Sequence, residues 1–145
     1  MADDQVKDWD GWNKKWQRII TAQSPYEWNF AQKVIRKVPG LNPNDVTPQQ
    51  SFTGNDDGIE RHMDFAIKVD GVKIAIEVEG WDKTDKNQGK NKREHDEFNR
   101  RIQSLESQQW RVLTVTNKQF MTDPAHYANH IRQLILQGSK APQSD

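Results

Sequence analysis

An Asp-Gly pair between two alternating segments constrains this chain more than any other feature. Asp70 and Gly71 separate two runs in which apolar and polar residues alternate. Asp-Gly in this setting is a strong signal for a two-residue β-turn, because both turn positions tolerate positive φ. Such a turn fixes the register of the hairpin and gives it one wholly apolar face, which must be buried. The predicted apolar pairs are Val69 with Val72, Ile67 with Ile74, Phe65 with Ile76, and Met63 with Val78.

The other face of the predicted hairpin carries acidic residues that oppose one another. In this register Asp64 lies directly across from Glu77, with Cβ atoms about 4.5–5.5 Å apart, and Glu79 points the same way. Like charges that face each other across a ladder destabilise it. A divalent cation would remove the conflict, since Mg²⁺ is usually bound by one or two carboxylates together with waters and phosphates. The register therefore predicts a metal site at Asp64, Glu77 and Glu79.

A second interpretation of the same face is an exposed acidic surface whose charge is relieved by neighbouring lysines. Lys68 and Lys73 lie on this face and could supply that relief. Ala66 and Ala75 lie beside the acids, and their small side chains leave space for something other than protein. This space favours the metal interpretation.

The overall composition limits the function classes that remain. The chain has 145 residues, with 21 Lys+Arg and 21 Asp+Glu, so any basic surface must be local. It has no cysteine, which excludes disulfides, thiolate metal sites and a cysteine nucleophile. No apolar run is long enough to span a membrane, and the amino terminus lacks a signal-peptide pattern, so we expect a cytoplasmic protein. The length suits one domain over residues 1–138, in which 1–23 form a tryptophan-rich helical extension, with a flexible tail over 139–145.

Two helices are predicted ahead of the hairpin. Trp9, Trp12 and Trp16 recur at helical spacing and form one apolar face of the first helix. The second helix begins at Ser24, which caps it, and Glu27 stands three residues later at the position that closes a capping box. Glu27 therefore has a structural role as a cap.

Strands and helices alternate along the rest of the chain. A short strand is predicted over 46–52, and Pro48, which cannot donate to a ladder, indicates that it lies at a sheet edge or starts late. With the hairpin it forms a three-stranded antiparallel meander. A helix over 93–109 and a strand over 110–116 follow, and a strand that returns after a helix can lie parallel to a meander strand. With a last helix beyond these, the predicted fold class is α/β (α+β) around a mixed sheet.

The densest basic segment of the chain follows the hairpin. Most of it lies in the stretch 82–91, which has no apolar residue and is predicted to be a mobile loop. Basic side chains after an acidic metal face suit a phosphate-binding enzyme, because they hold the phosphates next to the one at the metal. A solvated loop is the alternative. The basic residues are Lys83, Lys86, Lys90, Lys92 and Arg93.

Several short motifs, taken in this order, resemble the PD-(D/E)xK nuclease superfamily, and within it the branch of very-short-patch-repair-like endonucleases. The family pattern has a Ser-Pro-x-Glu helix start, a glutamine on the first strand, a DFA strand, an I-E-(V/I)-D-G-W strand and an L-x4-W-R-V-L segment. Here the matching residues are 24–27, Gln49 or Gln50, 64–66, 76–81 and 105–113. The resemblance implies a restriction-endonuclease-like core: helix, meander, helix, strand and helix.

The resemblance also implies metal-dependent hydrolysis of phosphodiester bonds, with Mg²⁺ or Mn²⁺ as the cofactor. Asp64 would be the central metal ligand and Glu77 the second acid. Glu27 would be an auxiliary acid on the first helix of the core, in addition to its role as a cap. Glu79 holds the place of the motif lysine and is expected to act with the other acids.

The base that activates water must then come from another position. His95, at the start of the helix after the basic segment, and Lys83 are the candidates. His62 lies opposite Glu79 in the predicted register and is a further candidate. His126 and His130 lie four residues apart on the last helix, and without a third ligand we expect them to be structural or solvent-facing.

The expected partner is nucleic acid, most simply double-stranded DNA, whose backbone the basic segment together with Arg100 and Arg101 would hold. The substrate could instead be RNA or tRNA, as in some nuclease toxins. In a different class, the chain would be a catalytically inactive nuclease-fold module for nucleic-acid binding or assembly. A homodimer and a cognate inhibitor protein are further candidate partners, and no membrane partner is expected.

Overall fold

The computed structural model describes residues 5–55, 57–79 and 92–139, and the side chains of these except 92–95 and 139. The predicted order of helices and strands is present, with one additional short helix after the last strand. The helices are α1 (Trp9–Gln23), α2 (Pro25–Lys33), α3 (Lys92–Ser107), α4 (Asn117–Thr122) and α5 (Pro124–Ser139). The strands are β1 (Val46–Thr53), β2 (Glu60–Val69), β3 (Val72–Glu79) and β4 (Arg111–Thr116). Short 3-10 turns cover Ile35–Lys37 and Pro43–Asp45.

The four strands form one mixed sheet in the order β1-β2-β3-β4. β2 pairs antiparallel with β1 and β3, and β4 lies parallel to β3. The predicted α/β (α+β) class and the parallel return of the last strand are therefore confirmed. β1 is an edge strand, which fits Pro48, because a proline has no N–H for a second neighbour. None of the helices in the described part of the chain has the length and apolarity needed to cross a membrane.

The Asp70-Gly71 turn sets the predicted register, but only along part of the hairpin. Three of the four predicted apolar pairs form: Val69–Val72, Ile67–Ile74 and Phe65–Ile76. The ladder between β2 and β3 ends at Phe65 and Ile76, so the predicted pair of Met63 and Val78 does not form. The two strands therefore separate at the level of Asp64, where sequence reasoning expected continuous pairing.

Two hydrophobic cores cover the two faces of the sheet. The larger core packs α1, α2 and α5 against residues such as Phe65 and Ile76. The smaller core, which includes Met63, Leu105 and Trp110, lies under α3. Met63 was predicted to share a face with Phe65, yet the two lie in different cores. The alternation of faces along β2 therefore reverses at Asp64, which comes between them.

The space predicted beside the acids is filled by protein. Ala66 and Ala75 are 1% and 0% exposed. Both pack in the smaller core with Leu105 of α3 and with Trp110. Their small side chains let α3 approach the sheet closely, which corrects the prediction that they leave room for a ligand.

The tryptophan-rich helix α1 is anchored on the edge strand. Trp12 is 1% exposed, and its indole Nε1 donates to the carbonyl of Val46 at 3.0 Å. Trp9 meets the Trp12 ring edge-on at a centroid distance of 5.3 Å. At the other end of the chain, α5 extends to Ser139, a residue that was predicted to belong to the flexible tail. Residues 140–145 lie outside the described part of the chain.

A buried arginine ties α3 to the turn between β1 and β2. Arg61 is 8% exposed and is held at 2.9 Å by both Asp57 of the turn and Glu97 of α3. Ser104 of α3 donates to the side chain of Asn55 at 2.9 Å. These contacts fix the position of α3 over the sheet, and with it the side chains that α3 directs at the acidic residues.

Candidate active site

The candidate site lies where β2 and β3 separate. Asp64 Oδ2 accepts a hydrogen bond from the backbone N–H of Val78 at 2.7 Å. In the pattern set by the turn, Asp64 would have been the partner of Glu77, one step beyond the last pair of Phe65 and Ile76. The aspartate carboxylate thus takes the place of a backbone acceptor, and it holds the two diverging strands together.

Glu77 follows on β3 and is 6% exposed. Its Oε1 accepts from Nε of Arg101 at 3.1 Å, whereas its buried Oε2 has no hydrogen-bond partner among the described residues. The Arg101 guanidinium also donates to the carbonyl of His62 and lies 5.5 Å from the centre of the Phe52 ring. One oxygen of Glu77 is therefore held by α3, and the other is left unsatisfied.

Glu27 reaches the same region from α2. It is 8% exposed, and its Oε1 accepts from Nε2 of Gln49 at 3.0 Å. A hydrogen bond from the Gln49 amide also opposes the rise that burial causes in the pKa of Asp64, so one side chain links two of the acids. Gln49 has a φ of 53°, a left-handed conformation that is uncommon for residues other than glycine. Strain of this kind clusters at functional sites.

Burial and mutual repulsion raise the pKa values of these carboxyl groups. Burial raises the pKa of Glu27 to about 8, and the charge of Asp64 adds to the shift. Burial is also the largest cause of the raised pKa of Glu77, followed by the charge of Asp64, with Arg101 acting in the opposite direction. Burial raises the pKa of Asp64, and the charge of Glu79 adds to the rise, whereas the hydrogen bond from the Val78 N–H and the charge of Arg101 lower it. The four acids therefore share one electrostatic environment.

The structure brings together four of the acidic residues that sequence analysis selected. Asp64 and Glu77 interact as charges, although not as a cross-strand pair. Glu79 ends β3 within electrostatic range of both. Glu27 is also present, but it does not close the predicted capping box. Ser24 does accept from the N–H of Glu27, as predicted, at 3.2 Å.

The capping box is incomplete because its donor is already used. The N–H of Ser24, which the Glu27 carboxylate would have accepted, donates to the carbonyl of Ile20 at the end of α1. The Glu27 carboxylate turns to Gln49 instead. The prediction that Glu27 acts as a cap is therefore wrong, and the residue belongs to the candidate site.

The histidine predicted to oppose Glu79 lies elsewhere. His62 pairs with Ser51 of β1, and the ladder to β3 does not reach it. Its ring is half-exposed and lies 3.8 Å from the carboxylate of Glu60. Its contribution near the acids is its backbone carbonyl, which accepts from Arg101. His62 is therefore not placed as a base for this site.

Part of the predicted site falls outside what the structure describes. Lys83, Lys86 and Lys90 lie in the segment 80–91, which is not described. The backbone of α3 includes Lys92, Arg93 and His95, whose side chains are likewise not described. Their assigned roles in catalysis and nucleic-acid binding remain predictions.

The two arginines of α3 differ in their surroundings. Arg100 is half-exposed and lies 3.9 Å from Asp57, so it remains a candidate for contact with a phosphate backbone. Arg101 points at Glu77 and is mostly buried. The structure places Arg101 inside the carboxylate site, where sequence reasoning expected a residue on the nucleic-acid surface. Arg101 stands three residues after Phe98 and four before Leu105, and this spacing, which places it on the apolar side of α3, was a signal that Arg101 lies close to the sheet.

Gln49 was visible in the sequence only through the resemblance, as one of two glutamines on the first strand. Its left-handed backbone and its contact with Glu27 depend on packing between α2 and β1, which no local pattern reveals.

The donor set fits a hard divalent cation. Carboxylate oxygens are the ligands that Mg²⁺ and Mn²⁺ prefer, and Oε2 of Glu77 is a buried acceptor that no donor among the described residues satisfies. Within the described residues, no three His, Cys, Asp or Glu side chains are gathered closely enough to hold an ion by themselves. The protein would thus supply two carboxylates, from Asp64 and Glu77.

Comparison with known proteins adds no relative: no family model, curated protein or solved structure matches this chain. The likeness to the PD-(D/E)xK nucleases therefore rests on the motif residues alone.

Proposed function

We propose that this chain is a metal-dependent endonuclease that hydrolyses phosphodiester bonds, with DNA as its substrate. One observation carries the proposal: a buried Glu77 and a partly buried Asp64 repel each other, and Oε2 of Glu77 has no hydrogen-bond partner among the described residues. Buried charges in proteins are normally paired or bound to a metal. Of the four oxygens of these two carboxylates, Arg101 hydrogen-bonds Oε1 of Glu77.

Asp64 and Glu77 would hold the ion, and Glu79 at the end of β3 would add negative charge beside it. A bound Mg²⁺ or Mn²⁺ would lower the pKa of a water molecule and neutralise charge on the leaving oxygen. The chain's own residues give the site its shape. Arg101 fixes one oxygen of Glu77 and would leave Oε2 for the ion, and the Val78 N–H fixes Oδ2 of Asp64.

The arrangement of the elements supports a restriction-endonuclease-like core as part of this proposal. The antiparallel strands carry Asp64 and Glu77 on neighbouring positions of β2 and β3, and β4 returns parallel to β3 after a helix. Glu27 approaches from the helix that precedes the meander. This is the order of elements and acids that the family resemblance implies.

The test is cleavage of nucleic acid under controlled metal supply. Supercoiled plasmid, linear duplex DNA and tRNA are incubated with the chain in Mg²⁺, Mn²⁺ or EDTA. We expect the chain to nick or cut DNA only when metal is present. Asp64→Asn and Glu77→Gln should each lower the cleavage rate by roughly 100-fold or more, the scale seen when one charge-stabilising group is removed. Asp70→Asn is the matched control, because this exposed turn residue has a φ of 49° that asparagine also tolerates. Cleavage of tRNA alone would move the substrate class to RNA.

An inactive binding or assembly module is the second candidate, and Arg101 favours it, because an arginine that pairs with Glu77 can serve as the countercharge without any metal. Thermal melting separates the two functions. Saturating Mn²⁺ at about 100 times its Kd adds about 2.7 kcal/mol of stability, which raises Tm by about 5–10 °C for a chain of this size. A nuclease shows this rise and loses it in Asp64→Asn, whereas an inactive module shows no effect of metal on melting or on DNA.

A further inference from the structure

A groove lies beside the candidate site, at the carboxyl ends of the two parallel strands. Glu79, the last residue of β3, is the Cα partner of Thr116, the last residue of β4. Thr116 also forms part of the wall of an open groove of about 610 Å³. Open sheets with parallel strands take ligands at this edge. The groove therefore begins one strand away from the acids, at a distance of about 5 Å between strands.

The side chains that line this groove suit a nucleotide. Its ends and walls include an aromatic pair, a carboxylate, an amide and an ammonium group, carried by Tyr127, His126, Asp123, Gln119 and Lys118. The rings of His126 and Tyr127 meet at 89° with centroids 4.9 Å apart, so a flat base that stacks on one ring meets the edge of the other. The carboxylate and the amide offer acceptors and donors to a base edge, and Lys118 offers a cation to a phosphate.

The walls of the groove are held in place by hydrogen bonds of the chain. Thr116 and Gln119 form a complete capping box at the start of α4. Asp123 Oδ1 accepts from the backbone N–H of His126 at 3.2 Å, which fixes the entry to α5. Tyr127 packs against the larger core. The groove is therefore formed before a ligand arrives, which limits the entropy that binding would cost.

We propose that this groove binds one nucleotide of the substrate, next to the phosphodiester bond at the acids. The base lies against the His126–Tyr127 pair and the phosphate lies at Lys118. The inference rests on the proposed function for its substrate, and it adds that this nucleotide is unpaired. A base inside a duplex cannot enter a side groove unless it leaves the stack, which costs energy that a single strand does not require.

The test measures binding without cleavage. Asp64→Asn is used as the background, with fluorescein-labelled 12-nucleotide single-stranded DNA, the matching duplex, and Mg²⁺, and affinity is read by fluorescence anisotropy. We expect tighter binding of the single strand than of the duplex. Tyr127→Leu should weaken single-strand binding about tenfold, the scale for loss of one base stack. Lys118→Glu should weaken it by a similar factor and reduce its salt dependence.

Matched controls keep the outcome clear. Lys14→Glu makes the same charge change on an exposed residue of α1 and should leave affinity within about twofold. Because Tyr127 packs against the core, circular dichroism must show that Tyr127→Leu is folded. Lys118 is exposed, so Lys118→Glu gives a second, independent measurement of the groove's contribution to affinity. Three outcomes would refute the nucleotide site in the groove. They are equal losses of affinity in Lys14→Glu and Lys118→Glu, unchanged affinity in both groove variants, and no binding at all.

The failure of this inference is distinguishable from failure of the proposed function. If the wild-type chain cuts no nucleic acid but the groove variants lose affinity, the nucleotide site is supported and the proposed nuclease activity is refuted. If the wild-type chain cuts DNA and the groove variants bind and cut normally, the proposed nuclease activity is supported and the nucleotide site in the groove is refuted.

Discussion

The carboxylate of Asp64 accepts a hydrogen bond from the backbone N–H of Val78 at 2.7 Å, at the level where β2 and β3 stop pairing. The side chain of Asp64 thus replaces the backbone carbonyl that would accept this hydrogen bond in a regular ladder. Asp64 thus has two separable properties: an oxygen that satisfies a backbone donor and a charge that its surroundings disfavour. Substitutions that remove only one of the two properties can tell them apart.

Asp64→Ala should destabilise the chain, whereas Asp64→Asn should not. Alanine leaves the Val78 N–H without an acceptor in a partly buried place, which costs about 1–3 kcal/mol. Asparagine keeps an acceptor oxygen of the same reach and removes the disfavoured charge. Urea unfolding in EDTA measures both free energies. Equal stability of the two variants would mean that the hydrogen bond to Val78 contributes nothing, and Glu106→Ala at an exposed position of α3 reports the background effect of truncation.

Arg101 should contribute more to stability than its neighbour Arg100. Arg101→Met removes the donor that Glu77 Oε1 has among the described residues, together with a donor to the His62 carbonyl, and breaking a mostly buried pair costs about 3 kcal/mol. Arg100→Met removes an ion pair of 3.9 Å from a half-exposed side chain, which is worth about 0–1 kcal/mol.

The Arg101 prediction has a sharper form in a double-mutant cycle. If Arg101 serves to hold the Glu77 carboxylate, Glu77→Gln should reduce the cost of Arg101→Met by at least about 1 kcal/mol, because the two side chains interact. Chemical denaturation of the four proteins gives the coupling energy. Additive effects would assign Arg101 to packing on Phe52 instead.

The sequence predicts the hairpin well because its determinants are local. Asp70 and Gly71 select the turn, and the turn sets the pairs closest to it, from Val69–Val72 out to Phe65–Ile76. The same reasoning fails at Met63, where the pattern of alternation offers no warning. The reversal there depends on α3, a helix that arrives from far along the chain and buries Met63 against Leu105.

The acids illustrate the same limit within the candidate site. Their proximity follows from the register, so Asp64 and Glu77 could be selected from sequence. The partners of the acids could not, because they come from other elements: Arg101 from α3 and Gln49 from β1. Glu27 had a plausible local role as a cap, but that role disappears once the carbonyl of Ile20 takes the N–H of Ser24.

The stability of the metal-free chain should fall as pH rises from about 4.5 to about 8, the interval over which Glu27 titrates differently in the folded and unfolded chain. Below pH 4.5 the carboxyl group is protonated in both states. As pH rises, the unfolded chain loses the proton first, because its pKa is the lower one, and the unfolded state gains stability relative to the folded state. The raised pKa values of Asp64 and Glu77 act in the same direction.

Glu27→Gln isolates the contribution of that residue. Glutamine still offers an oxygen to the Gln49 amide but cannot ionise, so the variant should gain roughly 1–3 kcal/mol over wild type at pH 8 and little at pH 4.5. Urea unfolding across this range in EDTA gives both curves, and Glu106→Gln on the exposed side of α3 should follow wild type. Stability that is flat or rising with pH would show that the carboxylates are not buried together. Addition of Mg²⁺ should flatten the wild-type curve, because a bound cation favours the ionised carboxylates that the folded chain disfavours without metal.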